Sequence, residues 1–129
     1  MSNNDFEIMK LQKWFSKIEA KKGLGMKLYE TVSQLVPSVS VDLIIEHVSS
    51  GEKLLTWRDD KFYGPGWHIP GGVVRFKEKM SNRIDAVLTS EIGASALTVS
   101  GVIGIHEIFN LERDIRGHFI SIVYKVTLD

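Results

Sequence analysis

The chain has no cysteine. Disulfide staples and thiolate metal centres are therefore excluded. It also lacks net charge: 16 Lys and Arg balance 16 Asp and Glu. No global field draws it to nucleic acid or to an acidic membrane. No apolar run approaches the length of a membrane span. The N-terminus is polar and amphipathic, unlike a signal peptide. Internal repeats and low-complexity tracts are missing too. The expectation is a soluble, cytoplasmic protein with no nucleic-acid or membrane partner. What the chain does have is core material. With 129 residues and 43% apolar content, it suffices for a single domain.

The pattern along the chain predicts both helices and strands. Ile8, Leu11, Phe15 and Ile18 recur at helical spacing, with Trp14 beside them, which predicts a helix over 5–21. Asn4 and Glu7 have the spacing of a capping box. Gly23 and Gly25 end that helix, and a second runs from Met26 to Val36, where Pro37 stops it. Both apolar stripes read as packing faces or as a surface for a second copy of the chain. Residues 1–25 form a helical extension and 26–129 the main domain. Strands are expected over 39–47, 52–58, 67–69, 73–75, 97–109 and 117–128. A helix over 81–92 is capped by Gly93. Gly101 and Gly104 mark bends or bulges in their strand. The class is mixed α/β or α+β.

The chemistry concentrates around Pro70, Gly71 and Gly72, where a glycine pair permits close backbone approach. A loop carrying Glu78 follows, then the helix whose last turn carries Glu91. Such a strand, loop and helix can hold a hard cation and the phosphates attached to it. Glu91 shares a helix face with Ile84, Val87 and Leu88, and a carboxylate on an apolar stripe needs a partner, a metal or access to solvent. Glu78 reads either as a metal ligand or as an ion-pair partner of Arg75, Lys79 or Arg83. Asp42 lies within an apolar strand and also needs a partner. Arg58 is either a solvated surface charge or a phosphate clamp. His118 is either a satisfied structural residue or a general base. His106 and Glu107 give too weak a signal to assign.

These residues fall on the Nudix signature G-x5-E-x7-R-E-U-x-E-E-x-G-U, where U is bulky and apolar. Gly72, Glu78, Leu88, Glu91 and Gly93 occupy their places. Ala86 replaces the arginine, Val87 and Ser90 replace two glutamates, and Ala94 replaces the last apolar residue. The chain resembles a Nudix hydrolase with a reduced acid set. That resemblance implies an α/β/α sandwich with a mixed sheet and an extra N-terminal helix.

From about Met26 to Val126 the chain is most similar, within that superfamily, to the GDP-mannose mannosyl hydrolases. The similarity includes Pro37 to Glu46, Gly51 to Leu55 with Arg58, Gly66 to Gly72, and Leu88 to Gly93. It implies Mg²⁺ (or Mn²⁺) held by the Gly71 carbonyl and Glu91, beside which Glu78 stays a candidate ligand on its own position. It implies Arg58 on the leaving diphosphate, His118 as base and Asp42 as supporting acid, with attack at the sugar carbon. Gly72 and Arg75 complete the expected substrate contacts. Val73 and Ala86 stand where that family has arginines. The family continues past the equivalent of Asp129, so one side of the sandwich is expected to be open, or covered by the N-terminal helix or a second subunit. Apart from the resemblance, the two N-terminal helices offer more apolar face than a small sheet needs, with Trp14, Phe15 and Tyr29 among the candidates, so a homodimer is expected. The substrate expected is a nucleoside diphosphate sugar. Two rivals stand beside this reading: a pyrophosphohydrolase attacking phosphorus, and a non-catalytic nucleotide-binding domain.

Overall fold

A computed structural model describes residues 2–129. Helix α1 (Asn3–Phe15) is capped by Ser2 and not by Asn4. The Ser2 hydroxyl accepts the Asp5 N–H at 3.2 Å, and the Asp5 carboxylate accepts the Ser2 N–H at 3.1 Å. The reciprocal box therefore closes earlier than Asn4 and Glu7 suggest. No residue of α1 is buried. A short 3₁₀ turn (Ala20–Lys22) leads to Gly23 and Gly25, both with positive φ, and then to α2 (Met26–Val32). The Tyr29 hydroxyl and the Ser38 hydroxyl lie 2.7 Å apart and dock α2 on the sheet.

The sheet is built around β1 (Ser38–His47). On one side β1 pairs antiparallel with β2 (Lys53–Leu54) and with β5 (Gly71–Val73). The predicted returning strand over 52–58 is thus divided. After β2 the chain leaves the sheet at Leu55, and β3 (Thr56–Arg58) pairs instead with β4 (Gly66–His68) in a separate ribbon. The strand expected over 73–75 begins earlier, on the glycine pair itself. Helix α3 (Met80–Val87) runs into a π-helical turn (Leu88–Ile92), closed by Gly93 in the left-handed region. On the far side of β1 lies β7 (His118–Leu128), in parallel register from Ser38 beside Phe119 to His47 beside Leu128. The edge strand β6 (Thr98–Phe109) pairs antiparallel with β7 and shifts register around Val102, between Gly101 and Gly104. A parallel β1–β7 pair needs a long crossover, and α3 lies within it.

Strand alternation gives β1 and β7 two unlike faces. Val41, Leu43 and Ile45 point with Ile122, Tyr124 and Val126 toward α3, where Ile84, Val87 and Leu88 close the core. Ser40 and Asp42, with Phe119 and Ser121, take the other face. The expected mixed sheet with helices and an N-terminal helical extension is what the chain forms. No helix among the described residues is long and apolar enough to cross a membrane.

Candidate active site

The polar face of β1 and β7 floors a cleft of about 270 Å³. Arg58, Tyr63 and His68 come from the ribbon and its loop, Gly71 and Gly72 from β5, and Arg116 from the loop before β7. Asp42 is fixed at the floor. Its Oδ2 accepts hydrogen bonds from the Ser40 hydroxyl at 2.8 Å and from the Ser121 hydroxyl. Its Oδ1 lies over Gly71, only 2.1 Å from where a Cβ on that residue would stand. Any side chain at 71 would displace this carboxylate. Gly72 is required on the opposite side: a Cβ there would stand 2.9 Å from Val87 Cγ2. The glycine pair therefore seats Asp42 above and α3 below.

Glu91 reaches the same region from the π-helical turn. That turn widens the helix by one residue, with the Gly93 N–H donating to the Leu88 carbonyl at 2.7 Å. Ile84, Val87 and Leu88 stay in the core while Glu91 sits at the rim, beside Arg58 and His68. The Leu43 N–H bonds the Pro70 carbonyl and the Val74 N–H bonds the Val39 carbonyl. In an antiparallel ladder this spacing leaves the N–H and C=O of Gly71 pointing away from β1. The Gly71 N–H is on the side from which it acts on the Glu91 carboxylate. Partial burial pushes the Glu91 carboxyl above its ordinary value, although the residue is exposed to solvent overall. Arg58 and the Gly71 N–H pull it down, and Asp42 adds to the rise.

Glu78 stands in the opposite situation. Its Oε1 accepts from Arg83 Nε at 2.8 Å and from the Arg75 N–H at 3.1 Å, and its Oε2 accepts from Arg83 Nη2 at 2.7 Å. Arg83 above all holds the Glu78 carboxyl down to about 2. Arg83 does the work expected of the missing arginine at 86, and both Glu78 oxygens are committed to it. Arg75 is also diverted: its Nη1 donates to the Lys21 carbonyl at 2.9 Å, tying the 3₁₀ turn to the domain.

His118 is not brought to the cleft. Register pairs it with Phe109, and the two rings stack with centroids 4.4 Å apart. The neighbouring pair, Ile108 and Phe119, faces the cleft instead. A period-2 strand cannot present both 118 and 119 to one side. The imidazole that lines the cleft is His68, whose Nε2 lies 3.2 Å from the Thr56 hydroxyl and whose Nδ1 is buried without a partner. Burial, and then Arg58, lower the His68 pKa. His68, Tyr63, Arg116 and Ser121 lay outside the sequence expectations. A serine at 121 between Ile120 and Ile122 was the one available signal, because it interrupts an apolar strand.

The donor set suits a small oxygen-seeking cation. Glu91 has no cationic partner within ion-pair distance among the described residues. It stands beside the outward peptide of Gly71 and near Asp42. No group of three or more His, Asp or Glu that could cage a metal occurs among the described residues. Mg²⁺ is commonly held by one or two carboxylates together with substrate phosphates, whereas a closed all-protein cage is absent.

Known proteins share the fold. No family model matches the chain. Over 105 residues it is 32% identical to the low-salt glycan biosynthesis protein Agl8 of Haloferax volcanii, an alignment covering 78% of this chain and 65% of that protein. The chain thus spans just under two thirds of that curated relative's length. The MutT protein of Methanosarcina mazei Go1 superposes with a TM-score of 0.61 at 23% identity, covering 74% of this chain and 67% of that one. The NUDIX domain of Shewanella oneidensis NrtR, solved with ADP ribose, superposes with a TM-score of 0.59 at 14% identity, covering 92% and 70%. The chain has the Nudix fold.

Proposed function

We propose that this Nudix-fold chain is a Mg²⁺-dependent hydrolase of a nucleoside diphosphate sugar, with GDP-mannose the first substrate to try. One observation carries the reading. A solvent-accessible carboxylate without a cationic partner, Glu91, shares a cleft rim with the outward Gly71 peptide and the Arg58 guanidinium. Glu91 and the Gly71 carbonyl would hold the ion, with Mn²⁺ able to substitute. When bound, the ion neutralises diphosphate charge and polarises the leaving oxygen. Arg58 grips the diphosphate with a planar fork of donors. Asp42, pinned at Oδ2, offers Oδ1 at a fixed place for orienting a nucleophile or a hydroxyl. Glu91 must be ionised to take a cation, so its raised pKa makes activity fall on acidification sooner than an ordinary glutamate would. The glycan-biosynthesis relative favours an activated sugar, and the ADP ribose bound by the NrtR domain is a nucleoside diphosphate derivative, its second ribose joined through the 5′ carbon.

The placement of His118 favours a second reading. With that imidazole on the other face of the sheet, the base expected for attack at the sugar carbon is not in the cleft. Attack at phosphorus is then the rival route. Hydrolysis of GDP-mannose in ¹⁸O-water decides between them. Label in the sugar supports glycosyl cleavage, and label in a phosphate supports the pyrophosphohydrolase. Binding without turnover supports a nucleotide-binding domain. The exposed apolar side chains of α1, Trp14 and Phe15 among them, make the homodimer part of this proposal. Light scattering at micromolar concentration tests it.

A further inference from the structure

Arg116 is held in the cleft with no acid in ion-pair contact, and Asp60 feels its charge only at longer range. Asp60 prepares its surroundings: Asp60 Oδ1 accepts the N–H groups of Phe62 and Tyr63, both at 2.8 Å, and so orders the turn that presents those rings. The Arg116 guanidinium carbon lies 4.9 Å from the Phe62 ring centre and 5.4 Å from that of Tyr63. Aromatic faces steady a guanidinium but leave its charge intact. No carboxylate lies within ion-pair distance of Arg116 among the described residues. Its Nε is buried with no hydrogen-bond partner. A buried donor left unmade is costly, so an acceptor is expected to reach it.

The backbone is fixed to hold this position. Arg116 has φ of 53°, a left-handed conformation that a non-glycine residue keeps only under constraint. Its N–H donates to the Ser33 hydroxyl at 2.9 Å, and its carbonyl accepts from Arg113 Nη2 at 3.1 Å. Arg58 lies against the same Tyr63 ring, at 5.2 Å, and its only ion-pair partner among the described residues is Asp60, at 3.6 Å.

We infer that Arg116 is a second phosphate-gripping residue of the cleft, acting with Arg58 on a diphosphate and standing in for the cations absent at Val73 and Ala86. The inference rests on the nucleotide reading above and specifies how the diphosphate is held. The test is calorimetric titration of the full chain with inorganic pyrophosphate, with and without Mg²⁺. Arg116→Gln should weaken binding about 10- to 100-fold, the usual loss for a hydrogen bond to a charged group. Lys17→Gln, an equal charge change on the exposed N-terminal segment, should move it by no more than about twofold. Arg116→Lys keeps the charge without the planar fork and should fall between. That variant carries the test if circular dichroism shows Arg116→Gln unfolded. Wild-type affinity retained in the folded variants overturns the role of Arg116 alone. Failure of the folded wild-type chain to bind pyrophosphate or GDP at millimolar concentration overturns the nucleotide reading with it.

Discussion

The two ends of the signature helix carry the same residue type in opposite states. At the N-terminal end Glu78 is closed into a bidentate pair with Arg83 and held at about 2. At the C-terminal end Glu91 has no such partner and is pushed upward by burial. The first carboxylate accepts three hydrogen bonds from protein, so it stabilises the loop that leads into α3. The second has capacity left over, so it can take a cation. Position in a motif does not by itself say which acid is structural and which is chemical. The partner within reach says it.

The largest effect should follow from breaking the open end. Glu91→Gln is expected to lower turnover by at least about a hundredfold, since electrostatic stabilisation of developing charge is lost. The melting temperature should stay level or rise slightly, because a partly desolvated charge is removed. Steady-state kinetics and thermal melts on one preparation check both halves. Unchanged turnover removes Glu91 from the metal site.

Breaking the closed end should do the reverse. Arg83→Met leaves Glu78 shielded and unpaired, and should cost about 2–4 kcal/mol in urea denaturation. Turnover per folded molecule should change little. A large kinetic defect with unchanged stability would instead bring Glu78 into the chemistry.

Acid should separate the two carboxylates without mutation. Glu78 is lowered from 4.5 to about 2, so its contribution is complete above pH 4.5 and is lost as pH falls through about 2. The loss should be roughly 2–3 kcal/mol, and Glu78→Gln should flatten it. Glu91 is raised, so its effect has the other sign: it favours the fold slightly below its unfolded value and loses that as pH rises. Mg²⁺ should raise the melting temperature more at neutral pH than in acid, because protonated Glu91 does not ligate. Glu91→Gln should abolish that pH dependence.

The smallest effect is expected at His118. It stacks on Phe109 away from the cleft, so His118→Gln should leave turnover within about threefold, far short of the hundredfold or greater loss of a general base. A loss of that larger size would restore it as base and require the start of β7 to rearrange.

Much of the scaffold was legible in the chain. Apolar alternation in 39–47 and 117–128, the helical stripe of Ile84, Val87 and Leu88, and the Gly93 cap all express local periods that sequence carries directly. The same applies to Asp42, Gly71 and Glu91, whose residue types at those places required a partner or an absent side chain. Partner choice was not legible. Arg83 takes Glu78, Arg75 turns to Lys21, and Arg116 arrives from a loop far along the chain. The register that pairs His118 with Phe109 also fixed which face of β7 meets the cleft. Sequence determines periodicity because that is a local property of the backbone. Ion pairing and register depend on distances across the fold, and only tertiary structure decides them.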